Sequence, residues 1–149
     1  MHDYDLMENG LLIVTGSALR AEKNDRPLAY QLKSYIEKQF DRHNPEPIVI
    51  VLSDLMYLHA EPLHHLPVIS LGGPRVNAVT ARLLDKLPHA LRIDSKLLIQ
   101  MDPDLLELRV CIWGADHVLT ANALQIFTRK NYLNRFLDAV VTRSRKRFK

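Results

Sequence analysis

The run Val68-Ile69-Ser70-Leu71-Gly72-Gly73-Pro74-Arg75-Val76-Asn77 decides how the chain is read. It spells a buried strand, a tight glycine turn and the start of a helix extending to Leu87. Gly72 and Gly73 permit positive φ and a close backbone approach. Pro74 suits a first helical position, where its missing N–H costs nothing. Arg75 and Asn77 fall in the first turn, where they add charge and a hydrogen-bonding amide. Such a helix turns its unpaired N–H groups and positive dipole end back over the turn, which suits a phosphate or a carboxylate. The turn is neither the dinucleotide fingerprint nor a Walker loop, so it names no ligand. A turn that needs glycine for packing alone would carry the same letters.

Two further apolar runs place this turn in a sheet. Leu11-Leu12-Ile13-Val14 and Ile48-Val49-Ile50-Val51-Leu52 are short and apolar throughout, the pattern of strands covered on both faces. The second is β-branched and bounded by prolines and by Ser53-Asp54, so it is expected to lie centrally, and Ile50→Asp to abolish folding. Between the two, 18–25 reads as a charged loop, and Asp25 as the cap of a helix starting at Arg26-Pro27. Leu28, Leu32, Ile36 and Phe40 give that helix its apolar stripe to about Arg42, and Asn44-Pro45-Glu46-Pro47 stops it. The stretch Leu55 to Pro67, with Tyr57, His59, His64 and His65, reads as a loop or short helical turn.

Beyond Pro88 the character changes. Leu91-Arg92-Ile93-Asp94, Leu97 to Met101 and Leu108 to Trp113 read as short strands separated by Ser95-Lys96 and Asp102-Pro103-Asp104, an antiparallel hairpin or meander. Asp116 can cap a helix bearing Leu119, Ala123, Ile126 and Phe127; Asn131 can end it in the left-handed conformation. A closing helix from Tyr132 to Arg143 carries Leu133, Phe136, Leu137, Val140 and Val141. The sum is a single α/β domain over 1–149, with frayed ends at 1–9 and 143–149. Its expected architecture is a three-layer α/β/α sandwich on a mixed, mostly parallel sheet of about six strands. The fold is Rossmann-like by analogy alone, and analogy of fold carries no function.

Composition sets outer bounds. With 149 residues, 47% hydrophobic and 25% charged, the chain can bury a real core as one domain. No apolar run approaches a membrane span, so no membrane partner is expected. The acidic start lacks a signal peptide's basic and apolar regions, so a cytoplasmic location is expected. The lone Cys111 excludes an internal disulfide and a cysteine metal cluster, and it reads as a small buried hydrophobe. Net charge is +3, but Arg143, Arg145, Lys146, Arg147 and Lys149 supply all of the excess. Nucleic acid is therefore an expected partner only through the tail 143–149.

If the first three strands are parallel, their C-terminal tips share one edge, where open α/β sheets bind ligands. Ser17, Arg20, Gly72, Gly73, Arg75, Asn77, Gln100 and Asp102 are the candidate ligand-binding residues. The first functional reading is a small-molecule binding or sensing domain. A nucleotide or other phosphorylated or anionic ligand would sit at Gly72-Gly73-Pro74 and the following helix N-terminus. The second is a phosphohydrolase or transferase in which Asp54, Asp102 and Asp116 could hold Mg²⁺ and Asp54, Asp116 and His117 act as catalytic groups. Each carboxylate also has a structural reading, as a turn residue or a helix cap. Trp113 reads as core, or as a ring able to stack on a base. His64 and His65 are adjacent, not at helical zinc-pair spacing, and no G-x-S-x-G is present. The third reading is a structural or interaction protein without a ligand. The wide apolar stripe of the last helix points to a homodimer.

Overall fold

A computed structural model describes residues 3–40 and 47–147. Strand β1 (Gly10–Thr15) is buried at all its positions. It pairs in parallel with β2 (Ile48–Ser53) on one side and β3 (Val68–Leu71) on the other. The β3 strand pairs in parallel with β6 (Arg109–Gly114), and β5 (Leu97–Met101) joins β6 antiparallel. The last strand, β4 (His89–Ile93), pairs antiparallel with β5. The sheet has six strands in the order β2-β1-β3-β6-β5-β4. It is mixed and mostly parallel, with the hairpin in the second half.

Alternation along each strand feeds two cores. Leu11, Ile13, Ile69, Leu71, Val110 and Ile112 face helices α2 (Leu19–Lys38), α5 (His117–Arg129) and α6 (Tyr132–Arg147). Leu12, Val14, Val68 and Cys111 face the other way, onto α3 (Asp54–His59), a 3₁₀ turn at Glu61–Leu63 and α4 (Ala78–Leu83). These are the three layers. Cys111 lies fully inside the second core, where burial pushes its thiol up to about 12.

Several boundaries differ from the sequence reading. The β2 strand is the edge of the sheet, where Val49 and Leu52 are buried and its other residues only partly so. A continuous apolar run reports coverage of two faces, not neighbours on both sides. Helix α2 begins at Leu19, so Asp25 is an interior residue rather than a cap, and Pro27 lies inside the helix. Its sheet-facing stripe is Ala21, Asp25, Ala29, Leu32 and Ile36. The extra N-terminal turns are held by that burial, which outweighs the backbone bond Pro27 cannot make. Helix α4 starts at Ala78, because Asn77 caps it and residues 74–76 form a turn. Asn131 is not among the positive-φ residues; Lys130, with extended backbone, caps α5. Helix α2 ends at Lys38, with Gln39 as its C-cap, short of the expected end at Arg42 and before Phe40; the expected stop at 44–46 lies outside the described residues.

The described residues open and close with a helix. Helix α1 (Asp3–Asn9) precedes β1, and His65 Nε2 donates to the Met7 carbonyl (2.9 Å). Ser144 Oγ, in the last helix, donates to Asn9 Oδ1 (2.6 Å). Of the stripe that suggested a homodimer, Leu133, Phe136, Leu137 and Val140 are buried in the chain's own core, and Val141 is partly buried. Arg143 donates to the Leu106 carbonyl (2.7 Å); the side chains of 145–149 lie outside the described residues. No helix among the described residues is long and apolar enough to cross a membrane.

Candidate functional site

The β1, β2, β3 and β6 strands run in one direction, so the residues after Thr15, Ser53, Leu71 and Gly114 share one edge of the sheet. The connection after β1 packs on one face and that after β3 on the other. Their divergence makes the crevice where open sheets bind ligands. Here the chain fills that crevice itself. The Val76 carbonyl lies over Gly16 so closely that an added Cβ would stand 1.7 Å from it.

A polar clamp holds the loop down. The Asp54 carboxylate accepts from Ser17 Oγ, from Leu55 N (2.7 Å) and from Ala78 N (2.8 Å). Asn77 is buried; its Nδ2 donates to the Val14 and Leu71 carbonyls (3.2 and 2.8 Å), and its Oδ1 accepts from Val79 N and Thr80 N (2.9 and 3.3 Å). The first amides of α4 are thus occupied, and the anion at this helix start is Asp54 itself. Ser17, Asp54 and Asn77 sit at the expected edge but face into the structure.

The open cleft lies one step along the edge, above β3 and β6 and between the starts of α2 and α5. It encloses about 700 Å³. Arg20, Asn24 and Asp25 line it from α2, Gly73 to Val76 from the loop after β3, and Trp113 to His117 with Thr120 from the end of β6 and α5. Of the residues singled out in the sequence as candidates for the site, Arg20, Gly73, Arg75, Asp116 and His117 meet here, with Trp113 beside them. Gly72 lies directly beneath, at φ 105°, its N–H donating to the Ile112 carbonyl (3.1 Å). Arg20 and Arg75 are exposed, and neither is ion-paired among the described residues, whose one ion pair joins Arg26 to Glu22 (3.3 Å). Asp116 Oδ1 accepts from Leu119 N (2.8 Å) as the cap of α5.

Gln100 and Asp102 stand elsewhere. Because β5 runs antiparallel, Asp102 emerges at the opposite edge of the sheet. There its carboxylate accepts from Asp104, Leu106 and Glu107 amides, which hold it below the usual range, the Glu107 bond foremost. Gln100 is buried mid-strand; its Nε2 donates to the Leu84 and Leu87 carbonyls (2.9 and 3.2 Å) and its Oε1 accepts from Trp113 Nε1 (3.0 Å). It fixes the indole, which lies against Gly73 at the cleft wall. Asp54, Asp102 and Asp116 therefore do not converge as a Mg²⁺ set. Among the described residues no three His, Cys, Asp or Glu side chains are grouped to hold a metal ion. His64 Nε2 donates to the Tyr57 carbonyl (2.7 Å), and its ring stacks on that tyrosine.

Sequence reasoning missed Asn24 and Asp25. Asp25 is 5% exposed, and burial pushes its carboxyl up to about 6, against a smaller opposing pull from His117. The available signal was periodic: Asp25 sits four residues from Ala21 and from Ala29, on the buried stripe. Compared with known proteins, the chain matches no protein-family model, and no curated protein matches it either.

Proposed function

We propose that this domain binds a small phosphorylated or otherwise anionic ligand, with nucleotides the first class to test, in the cleft above β3 and β6. The observation that carries the reading is the meeting of Arg20 and Arg75, neither ion-paired among the described residues, across one concave site at the C-terminal edge of the sheet. Guanidinium groups take phosphate oxygens through paired N–H donors. Gly73 lets a ligand come close to the backbone, and the starts of α2 and α5 add positive potential. The Trp113 ring, held by Gln100, offers a flat wall on which a base can lie. The site sits beside the Gly72-Gly73-Pro74 turn, not on the α4 N-terminus, whose amides Asp54 and Asn77 occupy.

Calorimetry of the folded protein against nucleotides, sugar phosphates and inorganic phosphate tests this. At least one probe should bind at millimolar concentration or below. An Arg20→Ala/Arg75→Ala variant should weaken that binding tenfold or more. Absence of heat from every probe, with the protein folded, overturns the reading. A metal-assisted phosphohydrolase has no observation of its own here, since its three carboxylates are apart.

A further inference from the structure

Asp25 is the one polar residue of the buried α2 stripe. The other stripe positions, Ala21, Ala29, Leu32 and Ile36, pack toward the sheet. At 5% exposure, a carboxylate in such a place is normally met by an arginine, a lysine or several N–H groups. Asp25 has none: among the described residues no hydrogen bond and no ion pair reaches it. Nor is it sealed off. The one fully enclosed unpartnered side-chain oxygen among the described residues is Thr15 Oγ1, so the Asp25 oxygens reach the cleft that Asp25 lines.

The backbone opposite is shaped around this carboxylate. Gly72 holds φ 105°, a conformation that favours glycine. A Cβ there would stand 2.7 Å from Asp25 Oδ2. Gly72 therefore leaves the space the carboxylate occupies. Thr15, on the same face of β1 as Leu11 and Ile13, ends that strand with its hydroxyl also unanswered. The charged and titratable groups around the cleft are Arg20, Arg75, Asp116 and His117. Two guanidinium groups would repel a cationic ligand group placed beside them, so a neutral donor suits Asp25 better.

We propose that Asp25 is a ligand-binding residue, accepting a hydrogen bond from a hydroxyl of the same ligand whose phosphate Arg20 and Arg75 take. The ligand class is then a hydroxylated phosphate, a nucleotide or a sugar phosphate. This rests on the anion-binding reading above and adds the group that confers selectivity. A site that offers a buried acceptor to a hydroxyl discriminates strongly against the analogue lacking it, because the acceptor is then left unanswered.

The test uses two probe pairs on the full chain at pH 7.5. AMP is compared with its 2′,3′-dideoxy analogue, and ribose 5-phosphate with tetrahydrofurfuryl phosphate, which keeps ring and phosphate but no hydroxyls. The wild type should bind the hydroxylated member of at least one pair tenfold or more tightly. Preference in the AMP pair alone identifies a nucleotide; preference in both identifies the sugar phosphate as sufficient. Asp25→Ala should bring the two members within about twofold, with affinity for the hydroxyl-free member retained. Arg75→Ala should weaken both members by the same factor. If Asp25→Ala yields too little folded protein, Asp25→Leu, of similar size, carries the same comparison. Equal binding of both members by the wild type, or a preference that survives loss of Asp25, overturns this inference and leaves the anion site standing. Failure of every probe to bind the wild type overturns both.

Discussion

Asp25 and Asp54 are both buried carboxylates at one edge of the sheet, yet the chain treats them oppositely. Asp54 has three donors and ties β1, β2 and α4 together. Its replacement by alanine should cost about 2–4 kcal/mol in urea unfolding, since buried amide donors lose their acceptor. It should leave ligand affinity in the cleft within a few-fold; a tenfold loss of affinity at unchanged stability would reverse that assignment. Asp25 has no donor among the described residues, and burial raises its carboxyl from 3.8 to about 6. A raised acid group stabilises the fold while protonated. Its contribution is complete below about pH 4 and is lost as the pH rises through about 6. Asp25→Asn should therefore be more stable than the wild type at pH 7.5, by about 1–3 kcal/mol. The gap should close as the pH falls toward 4. A variant less stable than the wild type at pH 7.5 would show a partner for Asp25 in the native protein. The sequence marked Asp54 clearly, because an acid after an apolar run is easy to see. It hid Asp25 among Arg20, Glu22, Lys23 and Arg26, where charge looks like solvent exposure. Only the helical period separates position 25 from its neighbours.

At the scale of elements, hydropathy located the strands and misjudged their places. Ile48 to Leu52 is the most β-branched run, and it forms the edge. Leu11 to Val14 is shorter and lies inside, flanked by β2 and β3. Apolar length measures how well α2 and α3 cover a strand; pairing partners come from distant sequence. Ile13→Asp should leave no cooperative unfolding transition, because an unpaired charge at a 0% exposed position rivals the roughly 5–15 kcal/mol of a domain's stability. Ile50→Asp, at a half-buried edge position, should keep a cooperative transition at lower temperature. Equal loss in both would place β2 inside the sheet. The alternation of strands and helices, the hairpin and the closing helix pair were legible because each carries its own period and its own turn residues. The start of α2 was not, since a proline at position 27 is ordinarily a first-turn residue. The start of α4 was not either: Pro74 and Arg75 mimic a helix opening, while the real cap is Asn77, whose amide is spent on both strands and helix.

For the molecule as a whole, the last helix completes the core that α2 and α5 begin. Its apolar side is already covered, so light scattering at micromolar concentration should give the mass of one chain; a concentration-dependent doubling would point to another surface. The hydrogen bond from Ser144 to Asn9 joins the first helix to the last. Stretches far apart in the chain thus meet on the surface, and the order of elements along the chain is separable from their order in space. A circularly permuted protein is therefore within reach. A flexible linker would connect the two ends, and new ends would open at Asp94-Ser95-Lys96, an exposed hairpin turn. The rearranged chain should unfold in a single transition and keep the cleft, because every residue lining it lies on an unbroken stretch. If it did not fold, β4 and β5 would have to form as a joined hairpin before the rest of the sheet could assemble around them.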